Sequence, residues 1–117
     1  MQFLLLLTGD GDVPSWPTLT PEEQGALMTR FEAFSTACTD AAGVEILAGE
    51  ALLPGSAATT IRRSGGERTV SAGPYADAYE SLGGFYLIES PDVETLVELS
   101  DILPPYDMEL RPIDTME

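Results

Sequence analysis

Residues 2–8 read Gln-Phe-Leu-Leu-Leu-Leu-Thr, and residues 85–89 read Phe-Tyr-Leu-Ile-Glu. A strand with one face in water alternates apolar and polar residues, and neither stretch does so. In the first, Phe3, Leu5 and Leu7 point one way and Leu4 and Leu6 the other. In the second, Phe85 and Leu87 oppose Tyr86 and Ile88. Both strands are therefore apolar on two faces. Leaving Leu4, Leu6, Tyr86 and Ile88 in water would forgo roughly 1.5–3 kcal/mol for each large aliphatic side chain. The rest of the chain supplies two helices, enough to cover one face of a sheet. A second copy of the sheet is the simplest cover for the other, since closed twofold dimers are the commonest oligomers. The competing arrangement folds the long loops 9–17 and 72–84 over that face.

Working outward, the first helix has a clear start. Thr20 is an N-cap, Pro21 suits the first helical position, and Glu23 completes a Thr-x-x-Glu capping box. Leu27, Phe31, Phe34, Cys38 and Ala41 then recur at helical spacing as one buried stripe, with Gly43 as C-cap. Strands follow over 44–53, 58–63 and 67–71, the last two joined by Ser64-Gly65-Gly66 as a hairpin. A loop over 72–84 precedes the strand 85–89. Pro91 opens a second helix in which Val93, Leu96, Val97 and Ile102 share a side. Pro104-Pro105 ends it, and 106–113 is the last strand. The order β-α-β-β-β-α-β is close to the ferredoxin-like plan. It predicts one α+β domain over 1–117, an antiparallel sheet with two helices on one face that pairs with its twin.

Charge limits function. Among 117 residues, twenty are acidic and five basic, for a net charge of −15. Such a surface repels phosphate backbones and acidic membrane leaflets, so no nucleic acid and no membrane is expected as a partner. All five basic residues are arginines, consistent with either a GC-rich genome or a salt-adapted host. Histidine is absent, which removes Ser-His and Cys-His nucleophile pairs and histidine metal ligands. Cys38 is the single cysteine, so no intrachain disulfide forms. Its place on the helix stripe makes it an inert core thiol. The apolar run 3–7 is too short for a membrane span and has no basic segment before it, so neither a signal peptide nor export is expected and the location is cytoplasmic. No metal and no cofactor are expected. Asp10-Gly11-Asp12 opens like a calcium loop but lacks the later ligands.

The segment Ala72-Gly73-Pro74-Tyr75-Ala76-Asp77-Ala78-Tyr79-Glu80-Ser81-Leu82-Gly83-Gly84-Phe85-Tyr86 resembles the signature of the DGPF group of YCII-related proteins, Asp-Gly-Pro-Phe-Ala-Glu followed by Leu-Gly-Gly-Phe/Tyr. Leu5-Leu6-Leu7 with Gly9-Asp10, Trp16 and Leu19-Thr20-Pro21-Glu22-Glu23 fit the family's opening. Ala48-Gly49-Glu50-Ala51-Leu52 and Ala58-Thr59-Thr60-Ile61-Arg62 fit its central strands, and Glu109-Leu110-Arg111-Pro112-Ile113 fits its end. The resemblance implies a ferredoxin-like fold pairing into a dimeric α+β barrel, and no settled activity. Some relatives in the wider superfamily are isomerases, lyases or monooxygenases. Many DGPF proteins are encoded near extracytoplasmic-function sigma factors, which implies a sigma-factor partner for some. This chain departs from the signature at Ala72, which replaces the aspartate, at Tyr79, which replaces the spacer lysine, and at Asp77, shorter than the usual glutamate. The histidine–aspartate pair of the broader group has no counterpart here.

Candidate sites follow. Gly73-Pro74 reads as a rigid turn. Gly83-Gly84 reads as a loop-to-strand entry, or as a close approach of backbone to a ligand or partner. Tyr75, Asp77, Tyr79 and Glu80 crowd one loop and are the candidate ligand-binding residues with Arg62. In a twofold pair that loop would rim the cleft between helices and sheet. Glu50 in an apolar strand needs a partner if buried, Arg62 or Arg111, or else faces a ligand. Arg62, Arg63 and Arg68 cluster at the hairpin, where charges discourage edge-to-edge aggregation or capture an anion. Two functions result. A non-catalytic homodimer that binds a small-molecule ligand, or acts as an accessory or regulatory protein, suits the missing histidine and aspartate. The alternative is a small-molecule isomerase or lyase using Asp77, Glu80 or Glu50.

Overall fold

Thr20 starts the long helix as its sequence demands. Its Oγ1 accepts from the Glu23 amide, the Glu23 carboxylate accepts from the Thr20 amide, and Pro21 takes the first helical position. The computed structural model describes residues 1–115. Its strands are β1 (Gln2–Gly9), β2 (Glu45–Ala51), β3 (Thr59–Ser64), β4 (Glu67–Ala72), β5 (Gly84–Glu89) and β6 (Asp107–Pro112). Its helices are α1 (Pro21–Asp40) and α2 (Val93–Ser100). The main sheet runs β2-β5-β1-β6, with every neighbouring pair antiparallel. With the β3–β4 hairpin set aside, this is the ferredoxin-like α+β arrangement.

Register decides which side chains meet the helices. Phe3 pairs with Ile88 and Leu5 with Tyr86. Phe3, Leu5, Leu7 and Ile88 form the core with Phe34 and Cys38 of α1, Leu96 of α2, Val44 and Leu103. Leu4 pairs with Leu87 and Leu6 with Phe85, on the opposite face. The two-faced pattern stands, but β5 is reversed relative to the sequence reading. Phe85 and Leu87, not Tyr86 and Ile88, join Leu4 and Leu6 on the face the helices leave open. Alternation divides each strand into two sets, and only the pairing register says which sets share a face. Ala48 and Glu50 extend this face on β2, and Glu109 and Arg111 on β6. The Arg111 guanidinium lies 2.6 Å from Glu109 Oε2, and the amino terminus of Met1 2.6 Å from Glu89 Oε2.

Three further details differ from the sequence reading. Ala41, not Gly43, caps α1, its amide donating to the carbonyls of Ala37 and Cys38. On α2, Leu96 is buried and Leu99 packs on the core, while Val97 stays 54% exposed and Val93 36%. An eight-residue helix offers one narrow contact line, and Leu96 and Leu99 take it. Arg30 ties the helices together, donating from Nε to the Ile102 carbonyl and from Nη2 to the Asp101 carbonyl, each at 3.0 Å. A cation there also suits the negative end of α2. Finally, residues 58–62 do not join the central sheet. Their strand pairs with β4 alone, as a separate two-stranded arm in which residues 61–70 are all exposed.

The arm makes the chain extended. Its radius of gyration is 16.3 Å, against about 13 Å for a compact chain of this length. Its accessible surface is 7964 Å², against about 6,200 Å² for a compact monomer of this mass.

Candidate functional site

Two hollows flank the segment 72–86. The first is an open groove of about 570 Å³ at the root of the arm, lined by Leu53, Ala57, Ile61, Pro74, Tyr75 and Tyr79 among others, with no charged residue in its wall. The Tyr75 and Tyr79 rings stand 6.4 Å apart. The Arg62 guanidinium sits 4.9 Å over the Tyr75 ring and donates from Nη2 to the Tyr75 carbonyl at 2.6 Å. Arg62 thus ties the loop to β3 by a cation–π contact and a charge-assisted hydrogen bond. Gly73 has φ +104°, a conformation that favours glycine. Its amide donates to the Ala58 carbonyl at 2.7 Å, and its carbonyl accepts from the Thr60 hydroxyl at 2.7 Å. Gly73-Pro74 is therefore a structural turn that closes the base of the arm.

The second hollow, about 510 Å³, lies between α1 and the β2–β5 end of the sheet. Met28, Phe31, Tyr86 and Tyr106 line it, with Asp10, Glu50, Gly83 and Gly84. Gly49 makes room here. A Cβ at that position would fall 2.7 Å from Cδ1 of Tyr86, so only glycine lets that ring lie across β2. At Gly84 a Cβ would meet the Glu50 carbonyl oxygen at 2.9 Å, which explains the second glycine of the pair. The Tyr86 ring packs 5.2 Å from Phe34, and Tyr106 lies 6.1 Å from Phe31. Burial, and then the neighbouring Cys38 thiol, push the Tyr86 phenol above its ordinary pKa. Burial, and then the charge of Asp10, do the same to Tyr106. Both phenols stay protonated at neutral pH and can donate a hydrogen bond.

The candidates read from sequence do not converge on one site. Tyr75, Tyr79 and Arg62 meet at the arm's groove, Gly83 and Gly84 belong to the second cleft, and Glu50 borders that cleft on β2 while lying on the open face of the sheet. Asp77 and Glu80 lie in the short 3-10 turn at 77–79 and its cap, exposed, and line neither hollow. Glu50 is also exposed. The ion pair expected for it does not form among the described residues, because Arg62 is engaged by Tyr75 and Arg111 by Glu109. Exposure removes the need for a partner. Among the described residues there is no group of three or more His, Cys, Asp or Glu placed to hold a metal ion. None of their helices is long and apolar enough to cross a membrane.

The YCII-related domain model matches residues 1–115. The chain belongs to the YCII-related family. This YCII-related chain is also similar to an uncharacterized protein of Rhizobium meliloti (strain 1021), 41% identical over 49 residues. The matched stretch takes in 42% of this chain and 40% of that relative's length. Sequence reasoning did not place Met28, Phe31, Tyr86 and Tyr106 of the YCII-related chain in a ligand site, and weighed Asp10 only as the start of a calcium loop, yet these line the second cleft. Gly49, a glycine inside a strand, was the available signal of close packing at that point.

Proposed function

We propose that this YCII-related protein works as a homodimer that binds a small ligand, or serves an accessory role, without catalysing a reaction. The observation that carries the pairing is the open sheet face, where Leu4, Leu6, Phe85 and Leu87 lie side by side and both helices are on the other side. The surface supports it. An excess of roughly 1,800 Å² per chain is about 3,600 Å² for a pair, within the range of obligate homodimers. Against catalysis weighs the exposure of Asp77 and Glu80 in their short turn, since a general acid or base is tuned by burial or charged neighbours. Light scattering at micromolar concentration is expected to return twice the chain mass of 12.5 kDa. Leu87→Asp, which places a charge on the open face, is expected to return the single chain still folded by circular dichroism. A native protein that stays at the single-chain mass overturns the pairing. Turnover lost in Glu50→Gln, if any turnover is found, overturns the non-catalytic half.

A further inference from the structure

We propose that the cleft between α1 and the β2–β5 end of the sheet takes a small hydrophobic organic cation, of the arylalkyl-ammonium kind. The inference rests on the small-ligand reading above and names the ligand's chemistry. About 510 Å³ is within the range of small-molecule pockets, roughly 300–1,000 Å³. The wall supplies residue types that a soft cation prefers, the aromatic Phe31, Tyr86 and Tyr106 and the polarizable Met28. Asp10 is the acidic residue in its wall and no arginine lines it, while Glu50, which borders it on β2, alternates to the face the helices leave open.

The basic residues have other work or another place. Arg30 is held by carbonyls at the end of α2, Arg62 by Tyr75 and Arg111 by Glu109. Arg63 and Arg68 face each other across the arm. An anionic ligand entering this cleft would meet Asp10 with no compensating cation, beneath a net charge of −15. A neutral ligand would leave that field unused. Asp10 and Tyr106 line the same cleft, and after burial the Asp10 charge is the second cause that pushes the Tyr106 phenol above its ordinary pKa. The groove at the root of the arm is of similar size but has no acidic residue in its wall and has the Arg62 guanidinium over its Tyr75 ring, so it does not favour a cation.

The test titrates the full chain with benzyltrimethylammonium, benzyl alcohol and benzoate, reading the Tyr86 and Tyr106 ring signals by NMR. The cation is expected to bind on the order of tenfold more tightly than the alcohol, with benzoate weakest. Its affinity should fall several-fold in Asp10→Asn, and again at about 0.5 M salt. Met28→Trp, which fills the cleft from a half-exposed position, should abolish the shifts. Equal affinity for the alcohol or benzoate, or cation binding indifferent to Asp10→Asn, overturns the proposal. If that binding is still blocked by Met28→Trp, the small-ligand reading survives without the charge. If none of the three probes moves either ring, both are overturned.

Discussion

The four-stranded body and the β3–β4 arm are built from the same chain by opposite rules. In the body, Phe3, Leu5, Phe34, Ile88 and Leu96 are each at most 2% exposed. In the arm Ile61 and Val70, paired across the hairpin, are 57% and 56% exposed. The body has helices to lie on, whereas the arm is a lone two-stranded ribbon, marginal by itself in water. It is held at its base by Gly73, Thr60 and Arg62. The difference teaches that the chain's folding energy is concentrated in the body, while the arm leaves its apolar residues in water.

The contrast can be broken where it is steepest. Phe34→Ala removes a fully buried ring that packs on Tyr86 and is expected to cost about 3–5 kcal/mol in denaturant unfolding. A loss near zero would mean the body is not the stability centre. Thr20→Ala, which removes half of the α1 capping box, is expected to cost about 1 kcal/mol in the same measurement. Ile61→Ser or Val70→Ser should stay within about 0.5 kcal/mol in dilute solution. A larger loss that grows with protein concentration would show the arm buried against a second copy. The smallest effect concerns pH. Hydrogen bonds from the Thr20 backbone and side chain hold the Glu23 carboxyl below its ordinary value of 4.5. A carboxylate with a lowered folded pKa contributes stability above its unfolded pKa and loses it as pH falls through the folded one. The gap between wild type and Glu23→Gln should therefore be present above about pH 4.5 and narrow below it. Melts across that range check it, and the many other carboxylates cancel in the difference.

Much of the body was legible in the sequence. The capping box at Thr20, the stripe from Phe31 to Cys38 and the doubly apolar strands are local patterns, and local patterns survive tertiary packing. What was not legible depends on partners distant in sequence. Tyr86 and Ile88 went to the wrong face because strand composition carries no register. Residues 58–62 read correctly as a strand, but nothing in them says they would leave the central sheet for an arm. The second cleft escaped notice for the same reason. Its wall is drawn from the loop before α1, from α1, β2, β5 and the segment before β6, and only the ferredoxin-like crossover brings them together. The signature segment attracted attention as a sequence block, yet Tyr75 and Tyr79 line one hollow and Gly83, Gly84 and Tyr86 the other.

Cys38 has a practical consequence. It is the only thiol in the chain, it is 0% exposed at the centre of the core, and burial pushes its pKa above the ordinary thiol value. An alkylating reagent needs the thiolate, so it reaches sulfur only when α1 lifts from the sheet. The rate at which iodoacetamide consumes the protein is thus a built-in clock for opening of the body, read by mass without any engineered label.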